Sequence, residues 1–90
     1  MRAGSSADRL RTRVRADRQR IATGDRPRYH ATWVMCSDGA ADVTILELPI
    51  IHLFVPNDLG VPDGARGLIA GTLAVDAASF DVVIQEPTAG

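Results

Sequence analysis

Three side chains in the sequence could bind a soft metal ion or act as nucleophile and base: His30, Cys36 and His52. His30 and Cys36 have the same parity in a predicted strand, but six residues of extended chain separate them by about 20 Å. The closely spaced pairs that hold structural zinc, such as C-x-x-C, are missing from the sequence. A cysteine nucleophile would need one of the histidines as base and Asp38 to orient it, yet no activating turn or helix N-terminus is predicted beside the thiol. We therefore expect no metal, no cofactor and no catalytic residue.

Two glycine-containing segments resemble ion-binding or phosphate-binding loops only in composition. The loop 57–64 places Asp58 and Asp63 near glycines, but the D-x-[DN]-x-[DN]-G spacing of calcium loops is absent, and Leu68 stands where the bidentate glutamate is needed. The segment 64–72 lacks the lysine of a phosphate loop. Both segments are predicted to be structural. The alternative for the first loop is a mobile rim of a binding site, in an enzyme or small-ligand carrier.

Charge is divided sharply between two parts of the chain. Residues 1–28 contain nine arginines and three aspartates, a formal charge of +6, whereas residues 29–90 contain one arginine and eight acids, a formal charge of −7. The net charge of −1 hides this division. Segregation of this size predicts a basic segment that meets an acidic surface. Arg66, the one arginine after Arg28, is expected to pair with an acid such as Asp63, with an anionic ligand as the alternative.

The basic segment is predicted to be a helix from about Ser6 to Thr23. Ser5 and Ser6 are good N-caps, and Gly24 supplies a stop. The apolar residues fall on one narrow stripe with Asp17 at its remaining position, and arginines flank the stripe on both sides. The stripe consists of Ala7, Leu10, Val14 and Ile21, flanked by Arg11, Arg15 and Arg18 on one side and by Arg9, Arg13 and Arg20 on the other. Such a helix is marginal alone and must pack against something, and a disordered arm is the alternative.

After Arg28 the apolar period changes to two, which predicts short β-strands. We expect five of them, over residues 29–36, 43–48, 50–55, 68–75 and 80–85. The segment 65–78 could also be helical, but Gly67 and Gly71 favour a strand. The predicted fold class is mainly β, or α+β by virtue of the one helix: a small antiparallel sandwich or half-open five-stranded barrel preceded by a basic amphipathic helix. Its strand number resembles that of oligonucleotide-binding-type barrels.

These expectations divide the chain into a helical or disordered arginine-rich arm (1–27), a β-rich acidic domain (28–86) and a tail (87–90). The charge division predicts a non-enzymatic interaction or assembly module, such as an accessory subunit, whose arm docks on an acidic protein surface. That surface could belong to a second copy of the chain, in an oligomer. The expected partner-binding residues are Leu10, Arg11, Val14, Arg15, Arg18 and Ile21.

Two other functions of the arm stay open. It could contact phosphates in a small nucleic-acid-binding or regulatory protein, or it could fold over the acidic body of its own chain as a strap. A cytoplasmic location is expected, because a single cysteine cannot form an internal disulfide. No membrane contact is expected, because the most apolar stretch, residues 43–55, is too short to span a bilayer.

Overall fold

Two α-helices, one short 3-10 helix and four strands make up residues 6–85, the part of the chain that the computed structural model describes. Their order is α1 (Ser6–Ala22), β1 (Arg28–Met35), β2 (Ala41–Ile45), β3 (Leu48–Val55), the 3-10 helix (Asp58–Gly60), α2 (Val61–Leu73) and β4 (Asp81–Ile84). The predicted N-cap Ser5 and the predicted tail 87–90 lie outside the described residues.

The strands form one open mixed sheet in the order β3-β2-β1-β4. β1 pairs antiparallel with β2, and β2 pairs antiparallel with β3. β4 is parallel to β1, with Arg28 opposite Asp81. A parallel neighbour requires a crossover connection, and α2 supplies it by carrying the chain back along one face of the sheet.

The predicted fold class is therefore wrong. The five-stranded antiparallel sandwich or half-open barrel is replaced by an open four-stranded sheet with two helices, a small α+β fold. The strand expected within 65–78 is mostly helix α2, and the last expected strand is the parallel strand β4. The segment is helical because its buried residues recur at every fourth position. Burial of that stripe contributes more free energy than the helix loses through its interior glycines, which cost about 1 kcal/mol each relative to alanine. The stripe consists of Val61, Ala65, Ile69 and Leu73.

Both helices contribute to one core on a single face of the sheet, so the molecule is only 20 Å thick along its shortest axis. Alternate strand residues point into this core, as period-two chains require. The Tyr29 and Phe80 rings meet edge to face in it, with their centroids 5.7 Å apart. The buried strand residues are Tyr29, Ala31, Ala41, Val43, Ile45, Leu48 and Val55. No described element covers the opposite face of the sheet.

Helix α2 lies directly on β3 at Gly64. A Cβ atom at this position would stand 2.7 Å from Cγ1 of Val55 and 3.2 Å from Cδ2 of Leu53. The first distance is shorter than real Cβ contacts, so only glycine lets the helix backbone approach the strand this closely. The glycine that opposes the helix by propensity therefore sets how the helix packs.

We expect Gly64→Ala to lower the free energy of unfolding by about 1–3 kcal/mol, because the added methyl group overpacks the contact with Val55. The matched control is Gly67→Ala in the same helix, where a Cβ would meet nothing within 4 Å. That change is expected to stabilise the protein by about 0.5–1 kcal/mol through helix propensity. Urea denaturation measures both changes, and equal effects of the two variants would contradict the close approach at Gly64.

Candidate functional site

The basic helix α1 is joined to the sheet through a buried carboxylate. Asp17 is 1% exposed and is the only buried charged residue among those described. The Tyr29 hydroxyl of β1 donates a hydrogen bond to its Oδ2 at 2.6 Å, and Nε of Arg13 donates to the same atom at 2.7 Å. Nη1 of Arg20 approaches Oδ1 at 3.5 Å. A buried carboxylate is costly unless donors surround it, so these contacts fix both the position and the rotation of α1.

The environment of the Tyr29 hydroxyl is also perturbed. Burial is the larger cause, and the hydrogen bond to Asp17 with its negative charge adds to it; together they raise the pKa of Tyr29 well above its usual value. The neutral hydroxyl is the form that can donate to Asp17. The contact therefore needs a protonated Tyr29.

The apolar stripe of α1 is used within the chain. Leu10, Val14 and Ile21 are partly buried and pack against the core. Three of the six residues expected to bind a partner thus contact their own sheet and helix α2. The other three, Arg11, Arg15 and Arg18, lie on the exposed side of the helix.

The arginines of α1 fall into two groups according to their contacts. Arg13 and Arg20 turn toward Asp17, and Arg20 also bonds Asp25 through Nε at 2.9 Å. That hydrogen bond raises the pKa of Arg20, and together with the backbone N–H of Arg26 it lowers the pKa of Asp25. On the outer side, Arg11 bonds the exposed Asp8 at 3.1 Å.

Arg15 and Arg18 make no hydrogen bond or ion pair with the residues that the structure describes. They stand three positions apart and so share one side of the helix. The basic segment of the sequence is therefore reduced, on the folded protein, to a small outward surface. We call Arg11, Arg15 and Arg18 the basic face of α1.

The two histidines each have a carboxylate neighbour. Nδ1 of His30 lies 2.5 Å from Oε2 of Glu47, whose other oxygen accepts the His30 backbone N–H at 2.8 Å. Nδ1 of His52 lies 3.0 Å from Oδ1 of Asp42 on the adjacent strand. Within residues 6–85 no three His, Cys, Asp or Glu side chains come together in a way that could hold a metal ion. Sequence spacing does not reveal these pairs, because one joins β1 to the turn between β2 and β3 and the other joins β2 to β3.

Arg66 contacts the turn after α2 rather than Asp63. Its Nη1 donates to the carbonyl oxygens of Ala77 at 2.6 Å and Phe80 at 3.3 Å, and its guanidinium lies 5.5 Å from the centre of the Phe80 ring. Arg26 bonds the same turn and Asp81. The loop acids Asp58, in the 3-10 helix, and Asp63, in the first turn of α2, are exposed, and their carboxylates make no hydrogen bond or ion pair with described residues.

Sequence reasoning missed the Asp17–Tyr29 contact. The signal available was an acid in the middle of an apolar stripe, with arginines four residues before it and three after it. Its partner lies twelve residues away in another element, which local spacing cannot identify.

Comparison of the chain with protein-family models, with curated proteins and with solved structures finds no match. Among the described residues, neither helix has the length and apolar character that crossing a membrane requires.

We expect Tyr29 to resist ionisation in the folded protein. Because its folded pKa is raised, its contribution to stability is complete below about pH 10, the unfolded value, and is lost as the pH rises beyond it. Tyr29 is the only tyrosine, so tyrosinate absorbance reports on this one side chain. Native protein should show no tyrosinate signal about one pH unit above the ordinary value, whereas protein in urea should ionise normally. A normal titration in the native state would exclude the buried contact.

We also expect Asp17 and Tyr29 to be energetically coupled. Asp17→Asn and Tyr29→Phe should each lower the free energy of unfolding by about 1–3 kcal/mol, because each leaves a buried polar atom short of its partner. The double variant should lose less than the sum of the two, with a coupling of about 1–2 kcal/mol. Asp25→Asn, at an exposed ion pair of the same helix end, is the control and should change stability little.

Proposed function

We propose that this chain is a non-enzymatic interaction module of the cytoplasm whose basic face on α1 docks on an acidic surface of another protein. The observation that carries the proposal is the pair Arg15 and Arg18, which are exposed, one turn apart and without partners in the described chain. Arginine forks match carboxylates in bidentate geometry.

The way in which α1 is packed on the sheet supports this proposal. Since the Asp17–Tyr29 contact and the apolar stripe hold α1 on the sheet, the two arginines project from a rigid element. Binding then costs less conformational entropy than it would for a flexible arm. Arg11 can join them, because its pair with Asp8 is solvent-exposed and such pairs are weak.

The acidic surface is assigned to a different protein rather than to a second copy. Five of the seven described carboxylates of the body are already engaged. Three lie beside a cationic or histidine side chain, Asp42 with His52, Glu47 with His30 and Asp81 with Arg26. The other two, Asp38 and Asp76, accept backbone N–H groups of their own turns. Among the described acids, only the carboxylates of Asp58 and Asp63 make no hydrogen bond or ion pair. The basic face of one copy would find only these two unpaired carboxylates on another copy. An acidic surface on a different protein would provide more carboxylates for the arginines to bind.

A nucleic acid is the second candidate, and one observation favours it. Since Leu10, Val14 and Ile21 are packed inside, a contact through the basic face is electrostatic, which is the character of phosphate binding. Two observations count against nucleic-acid binding. The basic face has few unpaired arginines, and the sheet carries carboxylates that would repel phosphates. Each neutralised phosphate would contribute a slope of about −0.9 to the dependence of log affinity on log salt.

The test compares poly-L-glutamate with a short DNA duplex as probes for the full-length chain at matched ionic strength. We expect polyglutamate to bind more tightly, and Arg15→Glu or Arg18→Glu to weaken it about tenfold by placing like charges opposite each other. Arg28→Glu is the matched control, because Arg28 is also exposed and unpartnered among the described residues but lies on β1. Tighter binding of the duplex would favour the second candidate. Binding of neither probe, or equal effects of all three variants, would contradict both.

A further inference from the structure

A second surface of the molecule carries apolar residues that the core does not use. It is the open face of the sheet, opposite the helices. The strand register places Val34, Asp42 and Phe54 in one row across it and Thr32, Thr44 and His52 in the next. Four large apolar side chains at this face are between 37% and 64% exposed: Val34, Ile50, Phe54 and Val83.

Ile50 extends this face at the β3 edge. Together with Leu46, Thr44 and His52 it lines a shallow depression of about 440 Å³. Four large apolar side chains exposed on one sheet face, interleaved with Asp42, threonines and histidines, indicate an interaction surface. The question is then which molecule covers it.

The charges of the open face are compatible with a second copy as the occupant. The face carries both signs: Asp81 is paired with Arg26, Asp42 and Glu47 lie beside histidines, and Arg28 is exposed at the start of β1. A face with both signs can place Arg28 of one copy beside a carboxylate of the other, so it presents no single-sign surface to a second copy. The basic face of α1 differs, because Arg15 and Arg18 are unpaired and two copies would repel each other there.

We propose that two copies of this chain pack their open sheet faces together, with the sheets about 10 Å apart. Phe54, Val34 and Ile50 of each copy would supply the apolar contacts of the interface. Both α1 helices would then lie on the outer sides of the dimer. This inference does not depend on the proposed function of the basic face.

The size of the face sets the expected affinity. Four strands about 4.8 Å apart and about six residues long outline roughly 400 Å². With the relief of the side chains, two such faces bury about 1,000 Å² in total, at the low end of specific interfaces. We therefore expect a dimer with a dissociation constant in the micromolar range.

The experiment is sedimentation equilibrium of the full-length chain over micromolar to submillimolar concentrations. The mass should rise from 9.6 kDa toward twice that value. Phe54→Asp and Val34→Asp should each raise the dissociation constant at least about tenfold, because each buries an unpaired charge. Leu59→Asp is the matched control: Leu59 is 86% exposed but lies in the 3-10 helix, away from this face. Arg15→Glu should also leave the dimer intact.

Cross-linking provides a readout that does not depend on a destabilising variant. In a Cys36→Ser background, Thr44→Cys lies near the centre of the open face, and a bismaleimide of about 10–15 Å should join two copies. Gln19→Cys, on the exposed side of α1, should not cross-link. A monomer at every concentration would overturn the proposal. So would a dimer unaffected by Phe54→Asp, one equally sensitive to Leu59→Asp, or one without the Thr44→Cys cross-link.

Discussion

The hydrogen bond between Tyr29 and the buried carboxylate of Asp17 determines how the rest of the molecule is arranged. It links the first helix to the first strand at 2.6 Å, inside the core. Three apolar residues alone would hold a helix weakly and would tolerate small rotations about its axis. A buried carboxylate tolerates none, because each rotation would leave a charge without its donors. The Tyr29–Asp17 contact therefore fixes the orientation of α1 on the sheet, in addition to stabilising the fold.

That orientation determines which arginines are available. The helix carries arginines on both sides of its stripe, and in sequence the two sides are equivalent. In the structure, Arg13 and Arg20 turn toward Asp17, whereas Arg15 and Arg18 face away from it. Among the acids of the body, Asp81 is paired with Arg26, and Asp42 and Glu47 lie beside histidines. The formal charge of a segment is therefore larger than the charge available to bind another molecule. The unpaired side chains determine which ligands the surface can bind.

The parts of the fold that could be predicted are those set by local sequence. The helix expected from about Ser6 to Thr23 runs over Ser6–Ala22, and the strand pattern after Arg28 gives the β1–β2 hairpin. The prediction of a strand in 65–78 is wrong. It rests on the low helix propensity of glycine, whereas the apolar residues of this segment recur at every fourth position, as in a helix. The glycine at 64 that counts against a helix is required by its contact with β3.

The contacts that could not be predicted are the long-range ones. The Tyr29–Asp17 bond, the histidine–carboxylate pairs and the contacts of Arg66 with the Phe80 turn all join different elements. Their residue types were visible in the sequence, but the partners depend on which face of α1 meets the sheet and on the register between strands, which shifts at Thr44 and Ile45. Among these contacts, only those of Arg66 depend on the strand prediction for 65–78 that is wrong, because Arg66 lies on α2 and reaches the turn before β4.

Strand β3 shows why the open face matters to the fold as a whole. Ile51 and Leu53 point into the core, and Ile50 and Phe54 are exposed. A strand in a sheet with one solvated face is expected to alternate apolar and polar residues, whereas near-continuous apolar strands are typical of sheets covered on both sides. The two helices cover one face of this sheet. The other face also carries apolar residues, and no described element of the chain covers it. In the proposed dimer, the open sheet face of a second copy would supply that missing layer.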